Sequence, residues 1–295
     1  MTRVVYLGTS AFAAGILTHL AEGPHRPQLV VTRPDRPAGR GRKVTAPPVA
    51  DTARALDLDL LQPEDVNADE ARERIADAAP DVLVVCAFGA LVRQGLLDAH
   101  EILNVHPSLL PRWRGAAPIE RAIMAGDEQT GVCIMRLTAG LDSGPVGLQA
   151  TEPIAPDDTF ATLADRLERL GGVLLSRALD ERGGWDWSAQ DEGGVTYAEK
   201  ITAVDRTLDP ADGAAAMART VRALTPHIGA RVDAGDGSFL GVLEAAVLPA
   251  GTGGPAGVLH ADAERLVYGD LALLRVQPPG GKPMDDAAYV RGRQS

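Results

Sequence analysis

Cysteine is nearly absent: Cys86 and Cys133 are the only two in 295 residues. That excludes a disulfide framework and a four-cysteine metal site, and it suits a reducing compartment. Aromatics are also scarce, at 4%, so any core must be aliphatic. No run approaches the roughly 18 consecutive apolar residues of a membrane span, so no membrane partner is expected. Met1 leads almost at once into Val4-Val5-Tyr6-Leu7, without an h-region and cleavage site, which predicts a cytoplasmic protein with no secretory signal. There is no P-loop, no G-x-S-x-G and no His/Cys cluster at metal spacing. Gly8-Thr9-Ser10 does not supply the glycine fingerprint of dinucleotide sites. Neither a metal nor a nucleotide cofactor is therefore expected.

Positive charge is in deficit. Lys plus Arg is 29 against 40 Asp plus Glu, a net charge of −11. Such a balance argues against a surface coated in cations for nucleic acid. The deficit is uneven, however. Residues 33–43 carry Arg33, Arg36, Arg40, Arg42 and Lys43 against Asp35 alone, a local +4 that leaves −15 for the rest.

What is present is an alternation of strand and helix patterns. Arg3–Leu7, Gln28–Thr32, Asp81–Ala87, Ile102–Val105, Thr130–Leu137 and Val146–Ala150 read as strands. Ser10 is placed to cap a helix to about Leu20, with Phe12, Ile16, Leu17 and Leu20 on its apolar face. Ala68–Asp77 and Thr159–Leu179 are further helices, the second with Gly171-Gly172 as a possible interruption. RPDRPAGRGRKVTAPPV reads as a loop from its prolines and glycines. The expected fold is α/β: an open, mostly parallel, Rossmann-like sheet with helices on both faces. A change of pattern near Gly183 predicts a catalytic domain over 1–183, a linker over 184–205 and a smaller β-rich domain over 206–295. In the last, one helix (Pro210–Leu224) precedes short strand-like runs, as in a small OB-type barrel.

Chemistry concentrates in one region. Asn104-Val105-His106 closes a short apolar strand, and ligands of open α/β sheets bind beyond strand carboxyl ends. Positions i and i+2 of a strand share a face, so Asn104 and His106 point together. Asn is a neutral donor suited to an oxyanion, and His exchanges a proton near neutral pH. Spacing alone leaves a second reading open, a hydrogen-bonded histidine closing a strand. Asp142 lies in a glycine-containing loop, Thr138 to Pro145, where it is either a partner that orients a histidine or a turn aspartate. Trp113 alone reads as packing, and the other five histidines stand apart.

The block LNVHPSLLPRWRGAAPIERAIMAGDEQTGVCIMRLTAGLDSGPV resembles the active-site block of the folate-dependent formyltransferases. That family joins Asn-x-His to Ser-Leu-Leu-Pro and places an aspartate in a Leu-Asp-(Thr/Ser)-Gly loop. The RPDRPAGRGRK loop is similar to the inserted tRNA-reaching loop of the methionyl-tRNA formyltransferase branch, and TYAEKI, VRALTP and LLRVQPPGGKPM extend the likeness along nearly the whole chain. Residues 8–13, Gly-Thr-Ser-Ala-Phe-Ala, depart from the family's frequent Gly-Thr-Pro-Asp-Phe-Ala, and His227 stands where an aromatic is usual.

The resemblance implies formyl transfer from 10-formyltetrahydrofolate, a consumed cosubstrate, to the α-amine of methionyl-initiator tRNA. It implies catalytic roles for Asn104, His106 and Asp142. It implies folate contacts along Ser108, Leu109, Leu110 and Pro111, in a pocket edged by Phe88, Gly89, Ala90, Leu91 and Val92 and by Gly140 and Leu141. It sets Phe12 by the methionyl side chain, and Arg36, Arg40, Arg42 and Lys43 on tRNA. Arg275, Lys282 and Arg291 are further candidate cations in a second domain whose balance is only −1. A monomer is expected. Rival readings are a formyltransferase acting on a glycinamide ribonucleotide or a sugar nucleotide, a nicotinamide-dependent dehydrogenase, and a non-catalytic RNA-binding protein on an old enzyme fold.

Overall fold

The computed structural model describes residues 2–38, 43–261 and 265–294. In chain order the first half comprises β1 (Val4–Gly8), α1 (Ala11–Glu22), β2 (Leu29–Val31), β3 (Arg36–Ala38), β4 (Lys43–Thr45), α2 (Pro48–Ala55), β5 (Leu60–Leu61), α3 (Asp69–Asp77), β6 (Val82–Cys86), α4 (Gln94–Ala99), β7 (Ile102–His106), β8 (Arg114–Gly115), α5 (Pro118–Ala125) and β9 (Gln129–Arg136). There follow β10 (Val146–Pro153), α6 (Phe160–Asp180), β11 (Tyr197–Ala198), α7 (Ala214–Leu224), β12 (Ala230–Asp233), β13 (Phe239–Val247), β14 (Leu259–Ala261), β15 (Leu266–Tyr268), β16 (Leu271–Gln277), β17 (Met284–Asp285) and α8 (Asp286–Gln294).

The chain divides into two units. One gathers residues up to Ala116, Thr130–Glu152 and Ala164–Ala198; the other holds Ala117–Gln129, Pro153–Leu163 and residues from Glu199 onward. Among the described residues, no helix is long and apolar enough to cross a membrane.

The first unit is built on a seven-stranded sheet of order β10-β9-β7-β6-β1-β2-β5. β1, β6 and β7 are buried at every residue, as expected of parallel strands covered on both faces. β1 pairs in parallel with β2 and β6, and β6 with β7, whereas β9 runs antiparallel to β7. The chain builds outward from β1 to β5, then returns to lay β6 on the other side of β1. That reversal makes a switch point between the carboxyl ends of β1 and β6, where such sheets bind ligands. Thr9 Oγ1 spans it, donating to the Phe88 carbonyl at 2.6 Å.

Ser10 caps α1 as expected, its hydroxyl accepting from the Ala13 N–H at 3.2 Å. Two expectations change. Residues 33–49 are not one loop: 36–38 pair with 43–45 as an antiparallel ribbon, and α2 starts at Pro48, a residue pre-set for a first helical turn. Gly171-Gly172 does not interrupt α6. The Gly171 position faces Ile16, Val105 and Val132, and the Gly172 position faces the His19 ring, so the pair permits close packing.

The second unit carries an antiparallel sheet of order β12-β13-β16-β15-β14, with β17 on β16. Register shifts around Glu244 bend β13, the usual way a sheet curls. Its core joins Met217, Val221 and Leu224 of α7 to Val232, Leu240, Val242, Leu271, Leu273 and Val276 of the sheet.

Candidate active site

Asn104 and His106 are the polar exceptions in an otherwise apolar strand, 6% and 4% exposed. Asn104 is registered against Val85 of β6 and Met135 of β9, and His106 against Cys133. Both therefore sit on one face of the sheet, as their spacing predicts.

His106 Nε2 lies 2.9 Å from the Trp113 carbonyl oxygen. A carbonyl can only accept, so Nε2 carries a hydrogen and donates it. The nitrogen left to gain or lose a proton is Nδ1. It faces Asp142 Oδ2 at 3.7 Å.

Asp142 arrives by a different route. Because β9 is antiparallel to β7, Arg136 lies level with Leu103, and the following loop must turn back over the sheet face. The Arg136 N–H donates to the Pro145 carbonyl at 3.0 Å and closes that loop. A Cβ at Gly144 would stand 1.9 Å from the Arg136 carbonyl oxygen, so the closure requires glycine. Asp142 itself has φ +44°, a left-handed backbone that costs about 1 kcal/mol outside glycine. Its Oδ2 accepts the Gly115 N–H at 2.9 Å, and its Oδ1 faces the Asn104 amide nitrogen at 3.5 Å. One carboxylate thus gathers an amide, a backbone N–H and an imidazole. The three side chains singled out in the sequence stand together.

The neighbouring loops differ in how they present their residues. Ser108 is fully buried, and its hydroxyl donates to the Arg112 carbonyl at 2.6 Å. Leu110 packs with Cys133 and Met135, and its N–H points at Cys133 Sγ at 3.4 Å. Leu109 and Pro111 are half-buried. After β6, Phe88 and Val92 join the core while Gly89, Ala90 and Leu91 are exposed. Leu91 and Leu141 are 72% and 61% exposed. Gly140 is also exposed. Phe12 is half-buried in the first turn of α1, which follows the β1 end of the switch point.

Among the predicted tRNA cations, Arg36 pairs with Glu64 at 2.6 Å on the surface and Lys43 is exposed. Arg40 and Arg42 lie outside the described residues. The base of the ribbon is tied by Gln62, whose amide donates to Asp35 at 2.7 Å and to the Arg33 carbonyl at 3.0 Å. Arg275, Lys282 and Arg291 are exposed. Among the described residues no group of three or more His, Cys, Asp or Glu is placed to hold a metal ion.

Sequence reasoning missed the groups that carry no side-chain signature: the Trp113 carbonyl and the Gly115 N–H. It also missed Gln190, whose Nε2 donates to the Asp142 and Gly144 carbonyls at 2.7 Å each, and buried Arg114, whose Nε donates to Gln190 Oε1 at 2.9 Å. Paired tryptophans and TYAEKI mark that stretch as more than featureless linker, but they do not single out Gln190.

A family model described as formyl transferase matches residues 2–179. The chain is 43% identical over 300 residues to the methionyl-tRNA formyltransferase of Halorhodospira halophila, covering 99% of this chain and 96% of that one. Among solved structures it is similar to HypX from Aquifex aeolicus in complex with tetrahydrofolic acid, with TM-score 0.66 and 17% identity over 99% of this chain and 47% of that one. It is also similar to an N-formyltransferase from Helicobacter canadensis in complex with folinic acid and dTDP-3-aminofucose, with TM-score 0.65 and 13% identity over 92% and 99%. At such identities the two structures speak for the fold alone.

Proposed function

We propose, from the premise that this chain belongs to the formyl transferase family and within it to the methionyl-tRNA formyltransferases, that it moves a formyl group from 10-formyltetrahydrofolate to the α-amine of methionyl-initiator tRNA. The observation that carries the mechanism is the convergence of Asn104 and His106 on Asp142 at 3.5 and 3.7 Å. The amine is its own nucleophile, so no Ser or Cys nucleophile is needed. Its ammonium form first loses a proton. The freed lone pair attacks the formyl carbon, and the carbonyl π pair moves to oxygen as an oxyanion. Collapse re-forms the carbonyl and breaks the bond to folate N10, which takes up a proton, while the attacking nitrogen, left cationic by the attack, gives up its second proton and ends as a neutral amide.

Asn104 supplies a neutral N–H donor to the oxyanion. His106, protonated on Nδ1, adds positive charge and is the proton source for N10. Asp142 holds that imidazolium and, directly or through water, takes the proton the amine gives up. Exposed Leu91, Leu141 and the backbone of Gly89, Ala90 and Gly140 offer a flat heterocycle an apolar edge, with Leu109 and Pro111 along its length. Phe12 borders the methionyl side chain. Arg36, Arg40, Arg42 and Lys43 meet tRNA phosphates. Catalysis belongs to residues 1–183 and tRNA binding also to 206–295. The protein works as a cytoplasmic monomer, where two buried thiols stay reduced.

The test is formylation of charged initiator tRNA with 10-formyltetrahydrofolate, beside uncharged tRNA, free methionine and a nucleotide-linked amino sugar. Turnover is expected with the charged tRNA alone. His106→Ala and Asp142→Ala are expected to lower kcat by about 10²- to 10⁴-fold with the fold intact by circular dichroism. Faster turnover of the amino sugar, or near-normal rates for either variant, overturns the proposal.

A further inference from the structure

The Asp142 carboxylate acts where its backbone puts it, and that backbone is held from elsewhere in the chain. Gln190 reaches both the Asp142 and Gly144 carbonyl oxygens, at 2.7 Å each. Carbonyls accept only, so the Gln190 nitrogen must face them. Its oxygen faces the Arg114 guanidinium at 2.9 Å, which donates only. The chemistry on both sides sets the amide one way round. Arg114 is itself 4% exposed, and its second nitrogen pairs with Glu192 at 3.0 Å.

The same segment grips the loop after His106. Thr196 Oγ1 accepts the Trp113 N–H at 2.9 Å, the Thr196 carbonyl accepts the Arg114 N–H at 2.9 Å, and the Ala198 carbonyl accepts the Ala116 N–H at 2.7 Å. β11 and β8 pair in parallel along this line. Gly115 sits there at φ +127°, where a Cβ would come within 2.7 Å of the Ala198 oxygen. At the other end Ser188 and Val146 exchange backbone hydrogen bonds at 2.9 and 3.0 Å. Trp187 lies against Gly147 and stacks on Arg136, whose guanidinium carbon is 4.3 Å from the ring centre.

Two consequences follow. The Trp113 carbonyl, which fixes the His106 tautomer, and the Gly115 N–H, which holds Asp142 Oδ2, both belong to a stretch bonded to residues 196–198. Trp113 and Asp142 both have left-handed backbones, φ +65° and +44°, which a free loop of non-glycine residues relaxes. We propose that residues 187–198 are a strap across the two catalytic loops and that Gln190 is its positioning residue, acting on the reaction through Asp142.

This rests on the formyl-transfer reading, and the measurements separate the two. Gln190→Ala removes both donations. Gln190→Glu keeps the size and the Arg114 partner but sets an oxygen against two carbonyls. In each, kcat is expected to fall about 10- to 100-fold while KM for tRNA and folate stays within about 2-fold. In an Asp142→Ala background, Gln190→Ala is expected to lower the residual single-turnover rate no further. Hydrogen exchange at residues 138–146 reads the restraint without turnover and is expected to speed up at least about 10-fold in Gln190→Ala. A normal kcat in both variants, an equal loss in the Asp142→Ala background, or unchanged exchange overturns the strap. Failure of the parent protein to formylate charged tRNA overturns the reaction instead, and the exchange measurement still decides the strap.

Discussion

The histidine proposed to serve the reaction stands directly across a strand pair from a cysteine. Cys133 is the register partner of His106, and an imidazole beside a thiol is the usual arrangement for a nucleophile. Its environment argues the other way. Burial pushes the Cys133 thiol up to about 11 and the Cys86 thiol up to about 12. A thiol that stays protonated at neutral pH neither attacks nor oxidises readily. Cys133 packs instead with Leu110 and Met135 beneath the loop after His106. A disulfide-exchange reagent at pH 8 is therefore expected to find neither thiol in the native protein and both after denaturation. A native Cys133 reacting at the rate of a free thiol would place a thiolate beside His106 and bring a covalent formyl carrier into consideration. At this scale legibility had a physical limit. The common orientation of Asn104 and His106 follows from the period of a strand, so it was readable. Asp142 lies 36 residues away on a loop that doubles back, and only resemblance to a family joined it to them. The Trp113 carbonyl and Gly115 N–H have no side chain to read.

Elements were legible where one run of residues decided them. The buried strands β1, β6 and β7 announce themselves as apolar runs, and Ser10 announces α1. Elements decided by partners were not. The two short strands at 36–38 and 43–45 exist because they pair with each other, and the prolines and glycines in and around them read as loop. Helix α5 carries its own signals, Pro118 at its start and Gly126 at φ +77° after its end, yet lies inside the block read for catalysis. In the second unit α5 is tied to residues 199–205. The Arg121 guanidinium meets Asp205 at 2.6 Å and also donates to the Glu199 carbonyl. Burial opposes the Asp205 carboxylate, but hydrogen bonds from Arg121 and Thr202 outweigh it and hold the group at about 2. An acid lowered in the folded state stabilises the fold above its unfolded value near 4 and ceases to as pH falls towards 2. Asp205→Asn is thus expected to cost about 1–2 kcal/mol in urea unfolding between pH 5 and 8. The gap should narrow steadily below pH 4, as Asp205 in the parent takes up its proton. A gap independent of pH would assign the loss to packing rather than to the ion pair.

The whole molecule must bring a polyanion to a chain whose net charge is −11. Outside residues 33–43 the sum is −15, so the cations proposed to meet tRNA stand against an acidic background. The ribbon supplies a physical basis, since among the described residues β3 and β4 pair only with each other and leave Lys43 exposed. The Arg36–Glu64 pair is more than half exposed on both sides, so a phosphate can replace Glu64 at little cost. If those cations bind tRNA as proposed, the acidic remainder has a use: it repels RNA that does not reach them. Each phosphate neutralised by such a cation contributes about 0.7–0.9 to the slope of log affinity against log salt. Four contacts from Arg36, Arg40, Arg42 and Lys43 predict a slope near −3 for kcat/KM with charged tRNA. Replacing Arg40 and Arg42 by alanine should flatten that slope by about 1.5 and raise KM for tRNA, while kcat at saturating tRNA stays close to the parent. If the slope is unchanged, the phosphates are met elsewhere, and the exposed cations Arg275, Lys282 and Arg291 become the ones to replace.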